Sequence, residues 1–476
     1  MSLDDRKRWL ALGVLCLGAL MIVLDTTIVN VALPSIRADL KFTETGLAWV
    51  VNAYMLAFGG FLLLGGRLGD LYGPRRLFLI GLALFTLASL ACGLAPTKGL
   101  LIVARWIQGL GGAVVSAVSL SLMMSLFTEP AERAKAMGVF GFVCSGGGSL
   151  GVLLGGVLTG SFDWHWIFLV NIPLGVAVFA LSLWLLPGGR GPAQGKLDTA
   201  GAALVTASLL TAVFAVVGGN EAGWLSGRTL GLLAAAAALF AAFVAVESRA
   251  RAPLVPPNLI RIRNVAVSNV IGVLWAAAMF AWFFLSALYL QLVLGYTPMQ
   301  IGLSFLPANL IMAAFSIGIS AKLVMRFGIR APLAVGLLLA ALGLLLLGQA
   351  PVDGHYALHV LPCMVLLGVG GGMAFNPLLL AAMSDVPPDE SGLASGIVNT
   401  AFMMGGALGL AVLASLASAR THALAAAGVS PAYALTGGYH AAFLVGAGFA
   451  ATAGLLGLLL RKGSMDAAAA GHGHGM

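Results

Sequence analysis

A chain of 476 residues that is 60% hydrophobic and 9% charged, with a mean hydropathy of +1.02, has too little polar surface to cover a water-soluble globule. Its formal charge of +8 is scattered over the breaks between apolar runs without an aromatic-basic groove pattern, which speaks against a nucleic-acid partner. The absence of a Ser/His/Asp or Cys/His arrangement, of HExxH and of a Walker loop argues against a membrane enzyme and against direct drive by ATP.

Apolar runs of membrane-spanning length recur from end to end, the pattern of helices rather than of a membrane β-barrel. The spans are expected near 9–33, 46–66, 76–95, 100–127, 136–160, 167–187, 199–218, 229–247, 265–292, 300–325, 331–350, 357–383, 392–418 and 438–460. The basic residues before the first run resemble a signal peptide, but the run is long and no small-residue cleavage site follows, so it reads as an uncleaved span. With an even number of spans both ends share one side. Of the 25 Lys and Arg, five (Arg37, Lys41, Lys98, Arg228, Arg420) then fall on the opposite side, Arg105 lies inside a span, and the remaining nineteen accompany the termini. The positive-inside rule therefore expects cytoplasmic termini and a multi-pass protein of the cell membrane. The four cysteines, Cys16, Cys92, Cys144 and Cys363, lie in spans without metal spacing and read as small buried hydrophobes. No metal site is expected, and the histidines of the tail are read as incidental.

Asp25, in Leu24-Asp25-Thr26-Thr27 of the first span, is the residue to explain. An aspartate at mid-membrane costs roughly 2.5–3.5 kcal/mol on insertion scales, and is normally paired, protonated or turned to a polar cavity. It is read as a functional acid; the alternative is a structural hydrogen bond to Thr26, Asn30 or backbone. Arg105 is the other ionisable residue placed well inside a span, with helix packing as its competing role.

The chain also repeats itself. Gly66, Leu68, Gly73 and Arg75 after the second span return at an offset of 255 as Ala321, Leu323, Gly328 and Arg330, and Gly138, Gly147, Gly148 and Gly151 return at 258 as Gly396, Gly405, Gly406 and Gly409. Two similar offsets imply two six-span halves in parallel orientation, with spans seven and eight inserted between them. The expected units are 9–187, 199–247 for the inserted pair, a cytoplasmic linker 248–264 rich in Pro and Arg, 265–460, and a flexible tail 461–476.

With these residues in view the chain resembles the major facilitator superfamily, specifically its fourteen-spanner drug:proton antiporters. The first-span motif is matched by Leu24, Asp25, Thr27, Asn30, Ala32, Leu33 and Pro34, the loop motif by Gly66, Leu68, Asp70, Gly73 and Arg75, and the fourth-span motif by Arg105, Gln108, Gly109 and Gly112. The fifth-span motif survives as Gly151, Gly155 and Gly156, with Val152 where the family carries proline. The resemblance implies an all-α integral membrane protein with the major facilitator fold, two parallel six-helix bundles plus two extra helices, fourteen in all, acting by alternating access as a proton-coupled exporter of lipophilic drugs or antibiotics. Its alternative is a facilitator of the same fold moving a specific metabolite or lipid.

Within that expectation Asp25 and Arg105 form the coupling pair, the proton is the coupling ion and no other cofactor is needed. A carboxylate stripped of its cationic partner in low dielectric takes a proton, so cargo and proton could compete for Asp25. Gly66, Asp70, Gly73, Arg75 and Arg76 would latch the cytoplasmic side, and Gly147, Gly151, Gly155 and Gly156 would form a close-packed hinge. Candidate cavity walls are Asn30, Asn52, Tyr54, Gln108, Trp275, Met279, Trp282, Asn309, Asn376 and Met403, where aromatics and Met suit flat lipophilic cations. With no second acid in the spans, monovalent or neutral amphiphiles are the expected cargo. The other expected partners are membrane lipids, and the protein is expected to act as a monomer.

Overall fold

The structure, a computed structural model, describes residues 5–127, 129–188, 199–250, 253, 257–383, 385–386 and 391–460. Cys144, Gly138 and the Asp70 side chain, parts of the linker and the whole tail lie outside that description.

The described elements are helical. The first half contains α1 (Asp5–Leu40), α2 (Glu44–Tyr72), α3 (Pro74–Gly93), α4 (Lys98–Leu126), α5 (Pro130–Ser161), α6 (Trp166–Leu169) and α7 (Asn171–Leu185). The inserted pair is α8 (Thr199–Ala222) and α9 (Gly227–Glu247), followed by the short α10 (Pro257–Arg261). The second half holds α11 (Arg263–Leu288), α12 (Pro298–Ala314), α13 (Ser320–Phe327), α14 (Arg330–Leu347), α15 (Leu361–Met383), α16 (Ser391–Ala426) and α17 (Pro431–Gly457), with π-helical turns at Tyr289–Val293, Phe315–Ile319 and Tyr356–Val360. Among the described residues eleven helical spans are long and apolar enough to cross a membrane, and three shorter apolar stretches lie in α5, α8 and α12, so each expected span falls on a helix. The protein is an all-helical, multi-pass membrane protein.

Several ends depart from the hydropathy reading. The first helix runs on to Leu40, through Pro34, because apolarity marks where a span crosses the bilayer and not where its hydrogen-bonded ladder stops. The sixth span is two helices meeting at Val170. The tenth breaks at Phe315–Ile319, where Gly318 leaves helical geometry. Without the motif proline, α5 is one helix from Pro130 to Ser161.

Small residues set the packing, as they must where lipid provides no hydrophobic drive between helices. A Cβ at Gly111 of α4 would lie 2.8 Å from the Gly81 carbonyl oxygen of α3, and one at Gly370 of α15 would lie 2.5 Å from the Gly336 carbonyl oxygen of α14. At Gly109 it would meet the Tyr54 carbonyl oxygen on α2 at 2.3 Å, and at Gly368 the Ala308 carbonyl oxygen on α12 at 2.7 Å. The turns after α2 and α13 are likewise made by Gly73 (φ 97°) and Gly328 (φ 74°), a region open to glycine but strained for other residues. The two halves thus use the same glycines for the same crossings.

We call the membrane side of the N-terminus near and the other far. On the far side the halves share one core, in which Ile28, Leu33 and Leu47 of the first half join Trp282, Phe283 and Phe305 of the second. There α5 meets α12 backbone to backbone: a Cβ at Gly302 would lie 2.8 Å from the Val152 carbonyl oxygen. Toward the near side the first half has a separate core of its own, including Leu12, Leu15, Phe78, Phe85, Leu122 and Leu126. The halves thus meet in a shared core at the far end.

Candidate transport site

Asp25 is wholly buried inside the first half. Arg105 Nη1 donates to its Oδ2 at 2.5 Å, Gln108 Nε2 to its Oδ1 at 2.7 Å, and Asn171 Nδ2 to Oδ1 at 3.4 Å. All three partners are donors, which is the surrounding of a carboxylate anion. Arg105 is fixed in turn by the Val50 carbonyl, which accepts from Nε at 2.9 Å, and by the Gln108 amide oxygen at 2.7 Å from Nη1. Its guanidinium lies 4.4 Å from the centroid of the Tyr54 ring. Ser89 completes the cluster: it accepts from Gln108 at 3.1 Å and from Asn171 at 3.0 Å, and donates to the Phe168 carbonyl at 3.0 Å. Six helices of one half, α1 to α4 with α6 and α7, therefore converge on one carboxyl group.

The alternative partners of Asp25 are engaged elsewhere. Thr26 donates to the Val23 carbonyl and Asn30 to the Thr26 carbonyl. Gln108, expected on the cavity wall, is a ligand of Asp25 instead. Ser89 and Asn171 were not singled out from the sequence; an asparagine in the otherwise apolar sixth span was the one signal available.

Among the described residues the second half has no counterpart of this cluster. Gly147 and Gly151 pack on Val23 and Thr27 of α1, and Gly405 and Gly409 on Val273 and Ala277 of α11, so the first helices correspond at an offset of 250 and Trp275 stands where Asp25 does. The glycine crossings likewise pair Arg105 with Met364, Gln108 with Leu367 and Ser89 with Leu344. All four second-half residues are buried and apolar. The polar centre is one-sided.

The other candidates are dispersed. Asn52, Tyr54, Trp275 and Trp282 are fully buried, and the Asn52 amide, the Tyr54 hydroxyl and both indole nitrogens have no hydrogen-bond partner. Met279, Asn376 and Met403 are partly exposed, and Asn309 is buried and donates to the Phe305 carbonyl. Of the expected hinge, Gly147, Gly151 and Gly155 seat α5 on α1 within the first half, and Gly156 alone faces α12. In the loop motif the close backbone approach falls at Gly65 and Gly69, opposite Val114 and Val118, whereas a Cβ at Gly66 would meet only Ala117 at 3.9 Å. Arg75 donates to the Leu183 carbonyl at the end of α7, and Arg76 is exposed.

Two helical halves of common design that meet in a shared core at the far end, with an ion pair buried inside the first, are the architecture of a secondary transporter of the membrane. The chain belongs to the Major Facilitator Superfamily, whose family model matches residues 15–410. It is 41% identical over 441 residues to the puromycin resistance protein pur8 of Streptomyces alboniger, covering 92% of this chain and 87% of that one. It is 40% identical over 415 residues to the cephamycin export protein CmcT of Amycolatopsis lactamdurans, covering 86% and 85%. Against the multidrug resistance protein Stp of Mycobacterium tuberculosis it is 38% identical over 417 residues, covering 87% and 77%. A crystal structure of a POT family peptide transporter superposes with a TM-score of 0.67 at 18% identity, covering 96% of each chain, which shows the shared fold.

Proposed function

We propose that this chain is a proton-driven exporter of lipophilic antibiotics or drugs, monovalent cations or neutral amphiphiles, with both termini in the cytoplasm and the near side facing it. Relatives named for puromycin resistance, cephamycin export and multidrug resistance support the cargo class. The observation that carries the proton reading is the buried Arg105–Asp25 pair, because a charge pair enclosed in a bilayer span is retained where charge has to be moved or switched.

The geometry changes how the two cargoes meet. Every partner of Asp25 comes from its own half, so in this state drug and proton do not share the carboxyl group. Proton uptake instead requires Arg105 to withdraw, and Arg105 is tied to α2 through Val50 and Tyr54. Helix α2 also forms the seam with α16, where Gly59 packs on Met403 and Met404. Movement of α2 as the halves rock would pull Arg105 from Asp25, which would then be neutralised by a proton, since an unpaired buried charge is the costlier state. The drug acts on the same rocking motion through the gap between the halves, and the two loads are coupled by the shape change.

Proteoliposomes containing the protein and a pH-sensitive dye test this directly. Addition of an exported drug should drive proton movement across the membrane opposite to the drug. A facilitator of the same fold would carry the drug with no proton signal.

A further inference from the structure

The loop motif returns in the second half without its acid. At the offset of 255, Lys322 stands for Arg67, Met325 for Asp70 and Arg330 for Arg75, while Arg326 takes the place of Leu71. From Ser248 to Val352, a stretch that takes in α10 to α14, the sequence holds no Asp or Glu. Three cations therefore gather at the turn between α13 and α14 with no countercharge on their own elements. Of the near-side acids that follow α15, Asp389 and Glu390 lie outside the described residues. Among the described residues, neither Asp385 nor any of the three cations takes part in an ion pair.

The first half shows how such a turn is satisfied by protein. Arg75 donates to the Leu183 carbonyl at the end of α7. Its counterpart Arg330 has no such acceptor, and its Nε is buried without a hydrogen-bond partner. Lys322 and Arg326, four residues apart on α13, share one exposed face with Met325 between them. Met325 is 66% exposed and Phe327 55%, and the Arg326 guanidinium lies 5.3 Å from the centroid of the Phe327 ring. Apolar side chains protruding beside cations at the near end of a span fit the headgroup boundary of a bilayer, where the first reach hydrocarbon and the second reach phosphate.

We propose that the turn between α13 and α14 binds the headgroup of an anionic phospholipid of the near leaflet, whose phosphate supplies the negative charge that Asp70 supplies in the first-half motif. The phosphate offers acceptors to the Arg330 guanidinium and a countercharge to Lys322 and Arg326, while Met325 and Phe327 lie against the acyl chains. A zwitterionic headgroup brings a cation of its own to a turn that already holds three, so the site selects net negative charge. The assignment stands whether or not the chain exports drugs.

Nanodiscs test it without a transport assay. The native cysteines are replaced by alanine, and a bimane label is placed on Ile319→Cys, an exposed position one turn before Lys322. At equal mole fraction in a phosphatidylcholine bilayer, brominated-chain phosphatidylglycerol should quench this label several times more strongly than brominated-chain phosphatidylcholine. Lys322→Gln and Arg326→Gln, at exposed positions, should each weaken the preference by about fivefold or less, the share of one surface cation. Met325→Asp, which restores the first-half pattern, should abolish it. A label on Leu338→Cys, exposed in the middle of α14, should show no preference. Equal quenching by the two brominated lipids at Ile319→Cys would overturn the proposal, as would a preference that survives Met325→Asp. A preference of the same size at Leu338→Cys would mark general enrichment around the protein and count equally against a site. Displacement of phosphatidylglycerol by inorganic phosphate at constant ionic strength would assign the turn to a free anion instead.

Discussion

Replacing Arg105 by alanine should lower the stability of the protein by roughly 3–5 kcal/mol, because it strands a carboxylate in a fully enclosed site. The loss is not confined to the ion pair. Val50 forfeits the donor to its carbonyl, the Gln108 amide oxygen loses its own donor, and Tyr54 loses the cation against its ring. Thermal unfolding of purified protein in detergent should show the drop directly. The second half shows how it can be repaired, since Trp275, Met364 and Leu367 fill the matching site with apolar side chains. Asp25→Leu combined with Arg105→Met should therefore recover most of the lost stability, as apolar replacements of buried ion pairs often do, while remaining unable to concentrate cargo. A double variant as unstable as Arg105→Ala would show that the cluster is held by something other than charge balance. One that exports uphill would remove the pair from coupling.

The far-side seam provides the second large effect. Gly302→Val places a branched side chain where a Cβ alone would already sit 2.8 Å from the Val152 carbonyl oxygen and 3.4 Å from Gly156 Cα. Overpacking of this kind costs about 1–3 kcal/mol, and the strain falls only on the state in which the far ends touch. Each 1.4 kcal/mol shifts the balance of the two states about tenfold toward far-side opening. Spin labels at Lys98→Cys and Asp353→Cys, exposed positions at the far ends of the two halves, report this as a longer distance distribution in pulsed electron resonance. Transport should fall because the protein no longer closes behind its cargo. An unchanged distance distribution in the Gly302→Val protein would mean that α5 and α12 do not form the far-side closure.

What was legible in the sequence followed from what a bilayer makes expensive. A lone acid and a lone arginine in apolar spans stand out whatever the fold, and the structure brings Asp25 and Arg105 into contact. Glycines at matching offsets were readable for the same reason, since only bare backbone allows the approaches seen at Gly111 and Gly370. Ser89 was not readable. A serine in a membrane helix usually satisfies itself on its own turn, as Ser119 does on the Val115 carbonyl and Ser182 on Val178, and nothing in the sequence marks the one that reaches across to Phe168.

The direction in which Asp25 points was equally hidden. Hydropathy places it at mid-span, but which side of α1 faces the second half depends on how α5 seats against it, and that is decided by Thr27, Leu24 and Ile28 lying under Gly151 and Gly155. The place of α8 was invisible too. Its hydroxyl side chains, Thr206, Ser208 and Thr211, are spread around the helix, so its position over Gly60 and beside Ser415 follows from shape and not from pattern. The break at Phe315–Ile319 had a glycine, Gly318, but glycine is frequent in spans that remain straight.

The central claim is that a proton on Asp25, released and retaken as Arg105 moves, powers export. It is tested most directly by Asp25→Asn, which keeps the shape of the side chain and removes its charge, in a dye-efflux assay under an imposed pH gradient. The wild type should concentrate the dye against its gradient, and Asp25→Asn, expressed and folded to the same level, should lose uphill export while still letting dye run downhill. Concentrative efflux by Asp25→Asn at the wild-type rate would contradict the account.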